Sequence, residues 1–312
     1  MKKILIFIRL LLSPFCKSKE NAPLFYHKSG QIASDYIKEL LLSDRPVMIC
    51  RFGSTELDCI VDYKNRFTVR NAFKFMTHKI NSLGYNKSSI YSMLNNSGFF
   101  PNTPQYMDQF SEMMIYLMPL VDVLGSWRFE ERLFDKELSN AIKVPLGDLE
   151  PYFHQNPWSE VLKNKKVLVI HPFEDSILSQ YQKRDFLFKD ERVLPDFELI
   201  TIKAVQSLGA KASEFETWFN ALEYMKCKID KHDFDIAIIG CGAYGFPLAA
   251  YVKSIGKKAV HLGGATQMLF GIKSKSWEDE PKFHYLMNEN WVRPKETERP
   301  ANYKLVEGGR YW

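Results

Sequence analysis

The chain has 312 residues and a formal net charge of +5, with 46% hydrophobic and 25% charged residues. This composition excludes a largely disordered chain, and the length suffices for one large domain, or for one domain with a smaller lobe. The sequence has no Lys/Arg-rich block, no zinc-finger spacing and no RNA-binding aromatic motif, which argues against nucleic acid as a partner.

The N-terminal segment, residues 1–22, combines basic residues with an apolar run from Ile4 to Phe15 that Arg9 interrupts. The run is too short to span a bilayer, and no small-x-small cleavage site follows it. It predicts either an interfacial helix on anionic lipid or a first helix packed on the domain. The lysines that flank the run are Lys2, Lys3, Lys17 and Lys19.

Cysteine usage predicts a reducing, cytoplasmic location, with peripheral contact to the inner face of the cytoplasmic membrane through the N-terminal segment. The five cysteines include no C-x-x-C pair and no Cys/His cluster with zinc-ligand spacing. Cys241 lies in a glycine-rich turn, where we interpret it as a small loop residue.

Five short apolar runs, bounded by polar residues or glycine, predict buried strands. Helical patterns over 32–42, 54–63, 213–229 and 246–255 lie between several of them. This alternation predicts a Rossmann-like α/β domain over residues 23–290, with a mostly parallel sheet and helices on both faces. The predicted strands are Val47 to Cys50, Val167 to Ile170, Leu199 to Ile202, Ile236 to Ile239 and Ala259 to Leu262.

The middle of the chain, about residues 67–150, is rich in Phe, Met and Tyr and predicts a helical insertion. Within it, SEMMIYLMPLVDVLGSW predicts a helix that ends at Gly125, with a kink at Pro119. The tail, residues 291–312, ends in aromatic residues, and we expect it to pack on the domain.

Polar residues and glycines follow each predicted strand at the point where the strand ends. Ligands of open parallel sheets bind at this edge, so we expect these residues to line one crevice. Arg51 offers a planar fork for phosphate, and Glu56 could act as a base or bind a divalent cation. The other candidates after the first three strands are His171 as a further base and Gly53, Ser54, Lys203 and Gln206 as ligand-binding residues.

The turn GCGAYG has the G-x-G-x-x-G spacing between a predicted strand and a predicted helix. Its backbone N–H groups and the helix N-terminus would form an anion site. A dinucleotide site also needs an acidic residue about 20 residues further on, whereas the next strand reads AVHLGG. We therefore predict a phosphate-binding loop, with the candidates Gly240, Gly242, Tyr244, Gly245, His261, Gly263 and Gly264.

Three stretches together resemble the GT-D-fold glycosyltransferases of bacterial surface-polysaccharide loci, a family once known only as a domain of unknown function. ICRFGSTEL resembles the family's early R-F-G-D-G-E segment. KKVLVIHPFEDSILSQYQKRDFLF resembles its middle strand, loop and helix, and IAIIGCGAYGFPLAAYVKSIGKKAVHLGG resembles its late strand, turn, helix and strand. The resemblance covers roughly residues 47–264, with a poorly matched middle.

The resemblance implies an enzyme that moves a sugar from a nucleoside-diphosphate donor to a glycan or lipid-linked acceptor in capsule or lipopolysaccharide biosynthesis. Arg51, Gly53 and Glu56 match the family's Arg, Gly and Glu. Ser54 stands where the family has the Asp of its metal-binding and diphosphate-binding D-x-E pair. Among these residues, Glu56 alone would therefore bind a divalent cation, Mn²⁺ or Mg²⁺.

Two alternatives stay open from the sequence. The G-x-G-x-x-G spacing is also typical of Rossmann-type methyltransferases and dehydrogenases, although the missing acidic residue argues against both. The serine at position 54 is compatible with a non-catalytic partner that keeps the family's fold.

Overall fold

The computed structural model describes residues 2–14, 23–210 and 213–312. These residues form an α/β fold in which helices cover both faces of one seven-stranded, all-parallel sheet, and this confirms the predicted Rossmann-like class. The strands are Val47–Cys50 (β1), Val123–Ser126 (β2), Ile142–Pro145 (β3), Lys166–His171 (β4), Glu198–Lys203 (β5), Ile236–Ile239 (β6) and Lys258–His261 (β7).

The helices are Lys2–Leu12 (α1), Gln31–Leu42 (α2), Ser54–Lys64 (α3), Val69–Met76 (α4), Lys87–Asn95 (α5), Pro104–Leu117 (α6), Glu174–Tyr181 (α7), Trp218–Ile229 (α8), Gly245–Ser254 (α9), Ala265–Leu269 (α10) and Lys275–Glu278 (α11). Short 3₁₀ turns connect several of them. In the part of the chain that the structure describes, no helix combines the length and apolarity needed to cross a membrane.

The strand order is β3-β2-β1-β7-β6-β4-β5. Strand β7 is the last in the chain but lies inside the sheet, where it pairs with β1 on one side and with β6 on the other. Helices α3, α6, α8 and α9 pack on one face of the sheet, whereas α2 and α7 cover the other. Strands β1 and β6 are buried on both faces, which explains why they read as continuous apolar runs.

The segment predicted as a helical insertion over residues 67–150 is only partly helical. It contributes α4, α5 and α6, but it also contains β2 and β3, which extend the sheet beyond β1. The predicted helix ending at Gly125 stops earlier, because α6 ends at Leu117 and a 3₁₀ turn at Met118–Leu120 leads into β2. The expectation of a helix running on to Gly125 was therefore wrong.

Both ends of the chain contact the body in the described residues. Helix α1 packs on α4, and residues 15–22 of the predicted N-terminal segment lie outside the described residues, among them Cys16, Lys17 and Lys19. In the tail, Trp291, Val306 and Trp312 are buried in the same apolar cluster as one face of the sheet.

Candidate functional site

A cavity of about 440 Å³ opens at the edge of the sheet where the strands end. All seven strands contribute, which makes this the crevice where ligands of open parallel sheets bind. Its volume lies within the usual range of small-molecule sites. The lining residues that lie at or just after the strand ends are Arg51, Trp127, Leu146, His171, Val205, Gly240 and Leu262.

Arg51 follows the central strand β1 and lies between residues of the two neighbouring strands. On the β2 side its guanidinium carbon is 5.2 Å from the ring centroid of Trp127, whose indole N–H donates to Phe52 O at 3.0 Å and so fixes the ring. On the β7 side, a Cβ at Gly263 would lie 3.4 Å from Arg51 Cδ. Arg51 forms no hydrogen bond or salt bridge with any residue that the structure describes, so its fork stays available to a ligand.

Burial lowers the pKa of Arg51, and the nearby Glu56 carboxylate opposes that shift. Arginine still carries its charge at neutral pH, because its ordinary pKa lies above 12. The cavity therefore contains a partly shielded cation without a closely bound counterion among the described residues, which favours an anionic ligand.

Glu56 lies in the first turn of α3, with its carboxylate folded back over Gly53. A Cβ at Gly53 would lie 1.8 Å from Glu56 Oε2, so the carboxylate occupies the space that any larger residue at this position would need. Burial raises the pKa of Glu56, and its own backbone amide and the charge of Arg51 offset only part of the rise. A carboxyl with a raised pKa is suited to accept a proton near neutral pH.

The glycine-rich turn after β6 brings backbone close to the cavity. Gly240 packs against the turn after β7, since a Cβ there would lie 2.6 Å from Gly263 O. Gly242 adopts a φ of 56°, a conformation that favours glycine. Burial raises the pKa of the Cys241 thiol, which agrees with its interpretation as a small loop residue and not as an activated nucleophile.

The two histidines of the cavity are buried and neutral, but they present opposite hydrogen-bonding states. His261 Nδ1 lies 3.1 Å from Ile239 O and must donate to it, which leaves Nε2 as an acceptor. His171 Nδ1 accepts from Phe173 N at 3.0 Å, which places the proton on Nε2. Burial lowers the pKa of each histidine to about 3.

This tautomer does not support the predicted role of His171 as a base. A base at His171 would have to accept a proton on Nδ1, which already accepts the Phe173 N–H. The Nε2–H can instead donate a hydrogen bond, so His171 is suited to bind an oxygen of a ligand.

Two helix N-termini at the cavity have no side-chain cap, whereas a third is closed. Helices α3 and α9 lack a capping side chain at Gly53 and Tyr244. In contrast, the Glu298 carboxylate of the tail accepts hydrogen bonds from the α7 amides of Asp175 and Ser176, at 2.8 and 3.3 Å. The Glu56 carboxylate already lies over the first turn of α3 and accepts from its own backbone amide, so α9 is the uncapped N-terminus that adds to the positive potential around Arg51.

Buried polar atoms without partners concentrate around the same cavity. Eight buried side-chain atoms of the described residues lack a hydrogen-bond partner, and four of them belong to residues that line the cavity. Ser97 and Tyr244 nevertheless lie close to Glu56 and Ser207, and these contacts offset part of the rise that burial causes in the pKa of Glu56 and of Tyr244. Gln206 Nε2 and Trp312 Nε1 are therefore the two of these atoms that a ligand in the cavity could satisfy. The four atoms are Ser97 Oγ, Gln206 Nε2, Tyr244 Oη and Trp312 Nε1.

The C-terminal tail forms one wall of the cavity. Glu307, Arg310, Tyr311 and Trp312 all line it. Tyr311 Oη donates to Glu307 Oε2 at 3.1 Å, and burial together with Glu307 raises the pKa of Tyr311 to about 12. Tyr311 is therefore a hydrogen-bonding group and not an acid at neutral pH.

Most of the residues predicted from the strand ends meet in the cavity, and two do not. Lys203 ends the edge strand β5 with an exposed side chain outside the cavity, and Val205 to Ser207 line it instead. Gly245 is buried under the His261 ring, where a Cβ would lie 2.0 Å from Cε1, so its role is packing. The predicted residues that line the cavity are Arg51, Gly53, Ser54, Glu56, His171, Gln206, Gly240, Gly242, Tyr244, His261, Gly263 and Gly264.

Several residues that line the cavity were not predicted from the sequence. Trp127 follows β2, a strand that had been predicted as helix, and Ser97 lies in a loop of the helical layer. The tail was expected to pack on the domain, but nothing in its sequence pointed Tyr311 and Trp312 to this cavity.

The donor set does not fit a divalent cation bound by the protein alone. No group of three or more potential ligands occurs within residues 2–14, 23–210 and 213–312, and the residue two positions before Glu56 is Ser54, which carries no carboxylate. A hard cation prefers several oxygen ligands. We therefore derive no step through a metal.

Comparison of the chain with protein-family models, with curated proteins and with solved structures found no match. Functional assignment therefore rests on the fold, the cavity and the residues that line it.

Proposed function

We propose that this protein is a glycosyltransferase that takes a nucleoside-diphosphate sugar and transfers the sugar to a glycan or lipid-linked acceptor. The observation that carries the proposal is the unpaired Arg51, placed between Trp127 and Gly263 at the centre of the cavity. The resemblance of three sequence stretches to the GT-D-fold glycosyltransferases supports the same assignment, and capsule or lipopolysaccharide assembly is the pathway class that it suggests.

The chemistry of the donor matches the electrostatics of the cavity. Breaking the bond between the sugar and the diphosphate leaves negative charge on the departing diphosphate, and groups that stabilise this charge accelerate the reaction. Arg51 offers a bidentate fork, and the N-terminus of α9 adds backbone dipoles. The turn from Gly240 to Gly242 would add main-chain N–H groups as donors to the diphosphate.

Glu56 is the best-placed base for the acceptor hydroxyl. Its raised pKa makes proton transfer at neutral pH favourable, and Arg51 lies near enough to oppose the rise in that pKa. The two histidines would bind the ligand instead. His171 would donate a hydrogen bond through its Nε2–H, and His261 Nε2 would accept one from a hydroxyl or amide of the ligand.

The first experiment is calorimetric titration of the full chain against a panel of nucleotide sugars and nucleoside diphosphates, with and without Mn²⁺. We expect one nucleotide family to bind, and Arg51→Gln to weaken that binding about 100-fold, because a charge-assisted hydrogen bond to phosphate contributes about 2–3 kcal/mol. Lys203→Gln is the matched control, since this lysine also follows a strand but lies outside the cavity. It should bind as the wild type does.

Three results would contradict the proposal. These are binding of no nucleotide at all, binding of NAD or S-adenosylmethionine in the same cavity, and equal loss in the Arg51→Gln and Lys203→Gln proteins. A protein that binds the donor but transfers no sugar to any acceptor, with or without Glu56, would instead favour the non-catalytic alternative.

A further inference from the structure

The surface formed by α1 and α4 carries exposed apolar side chains. On α1, Ile4, Phe7 and Leu11 are 63%, 62% and 58% exposed, and their spacing of three and four residues places them on one face. On α4, Val69 and Phe73 are 85% and 60% exposed. No α1 residue whose burial the structure describes is buried, so this helix is not an ordinary core helix.

Helix α1 is fixed to α4 mainly by polar contacts. The Arg9 guanidinium donates to the carbonyl oxygens of Phe75 and Ile80, both at 2.7 Å, and lies 4.5 Å from the centroid of the Phe75 ring. His78 Nε2 lies 3.0 Å from Arg9 O. These contacts set the position of α1, and the residues that the structure describes leave its outward apolar face uncovered.

The same surface is strongly basic. From Tyr63 to Met107 the sequence contains six Lys or Arg residues and neither Asp nor Glu. Arg70, Lys74 and Lys79 form no salt bridge with any residue that the structure describes. Of these six, Arg70 and Lys74 lie on α4 and Lys79 follows it closely, whereas Lys64 and Arg66 pair with Glu137 and Asp108.

We propose that the α1–α4 surface docks on an anionic lipid bilayer. Exposed apolar residues flanked by basic residues are the pattern of a helix that lies in the headgroup region, where the apolar side chains enter the acyl boundary and the basic side chains contact lipid phosphates. A second copy of the chain is a poor occupant, because two surfaces of the same positive sign repel each other. This inference does not depend on the donor proposed for the cavity.

The test is sedimentation of the full chain with vesicles of phosphatidylcholine alone or of phosphatidylcholine mixed with phosphatidylglycerol. We expect pelleting with the anionic vesicles only, weakened by added salt. Phe7→Ser and Phe73→Ser should each weaken vesicle binding about tenfold, and Arg70→Ser about fivefold. Phe186→Ser is the matched control, because Phe186 is also exposed, at 66%, but lies in the connection between α7 and β5 and not on the α1–α4 surface.

Circular dichroism and thermal unfolding should show each variant folded as the wild type, since the substituted side chains are exposed. The proposal would be overturned by equal binding to both vesicle types, by no binding to either, or by an equal effect of Phe186→Ser. It would also be overturned if sedimentation equilibrium without lipid showed self-association that Phe73→Ser abolishes, because a second copy would then cover the surface.

Discussion

At position 53, the absence of a side chain determines where a neighbouring carboxylate lies. The Glu56 carboxylate fills the space above Gly53, and this position buries it and brings it into the cavity with Arg51. The arrangement places an ionisable group where ionisation is disfavoured, which is a frequent compromise between stability and activity.

Glu56→Gln should stabilise the protein at neutral pH and abolish transfer. The folded-state pKa of Glu56 is raised above its ordinary 4.5, so its protonated form stabilises the fold and that contribution is lost as pH rises through the folded pKa. Gln mimics the protonated form, and we expect a gain on the order of 1 kcal/mol in urea unfolding at neutral pH. The gain should vanish near pH 4.5 and below.

The matched control is Glu39→Gln on α2, an exposed glutamate far from the cavity, which should show no gain. A Glu56→Gln protein that is less stable than wild type at neutral pH, or that retains full transferase activity, would contradict this account.

The residues of the site were predictable only where strand ends could be recognised. Arg51 and Glu56 follow β1, whose four apolar residues are unmistakable in the sequence. Trp127 was not predictable, because its contact with Phe52 O joins residues 75 positions apart and depends on the pairing of β1 with β2. Side-chain tautomers, such as that of His171, depend on backbone geometry that no sequence pattern specifies.

At the scale of single elements, the C-terminal tail provides the N-terminal cap of helix α7. Glu298 caps its first turn, and Ser176 Oγ also donates to this carboxylate. The same tail then continues to Tyr311 and Trp312 at the cavity. The cap therefore connects the stability of one helix to the position of a cavity wall.

Glu298→Ala should destabilise the protein by about 2 kcal/mol, because it leaves two helix amides without a partner and the buried Ser176 hydroxyl without an acceptor. Urea unfolding measures this loss, and ligand titration should show weaker binding through the displaced wall. Glu296→Ala, in the same 3₁₀ turn but exposed and paired only with Arg299, should change stability by less than about 0.5 kcal/mol. Equal effects of the two substitutions would show that the cap contributes little.

Strands β2 and β3 were missed for a physical reason. Each has four residues, β2 contains Gly125 and Ser126, and β3 ends in Pro145 at the edge of the sheet. Their extended conformation comes from pairing with neighbours and not from their own propensity. Strands β1 and β6, which are apolar and fully buried, were predicted with their observed bounds.

At the scale of the whole molecule, two buried neutral histidines make the stability of the fold depend on pH. The pKa of His171 and of His261 falls from 6.5 to about 3 on folding. The contribution of the two neutral histidines to the free energy of unfolding is complete above pH 6.5. It is lost as pH falls toward 3, because the unfolded chain binds protons at a higher pH than the folded chain does. Lowering the pH from neutral to about 5 should cost about 2 kcal/mol per histidine.

His171→Asn tests this coupling, because the Asn oxygen can still accept from the Phe173 amide but does not titrate. Between neutral pH and about pH 5, the free energy of unfolding of this variant should fall by about 2 kcal/mol less than that of the wild type. His284→Asn, at an exposed position, should keep the wild-type slope. Identical slopes in all three proteins would rule out the coupling.

The order of the strands has a consequence for how the chain is assembled during synthesis. Among the residues that the structure describes, strands β1 to β3 form one half of the sheet and β4 to β6 the other, and strand pairing joins the halves only through β7. Contacts outside the sheet link the halves earlier in the chain, since Trp218 N donates to Phe100 O and Ser207 Oγ donates to Gly98 O. The two sets of strands are nevertheless not paired into one sheet until residues 258–261 emerge from the ribosome. The crevice around Arg51 lies at this junction, and its wall from Glu307 to Trp312 is synthesised after β7, so the cavity is complete only once residues 307–312 have emerged as well.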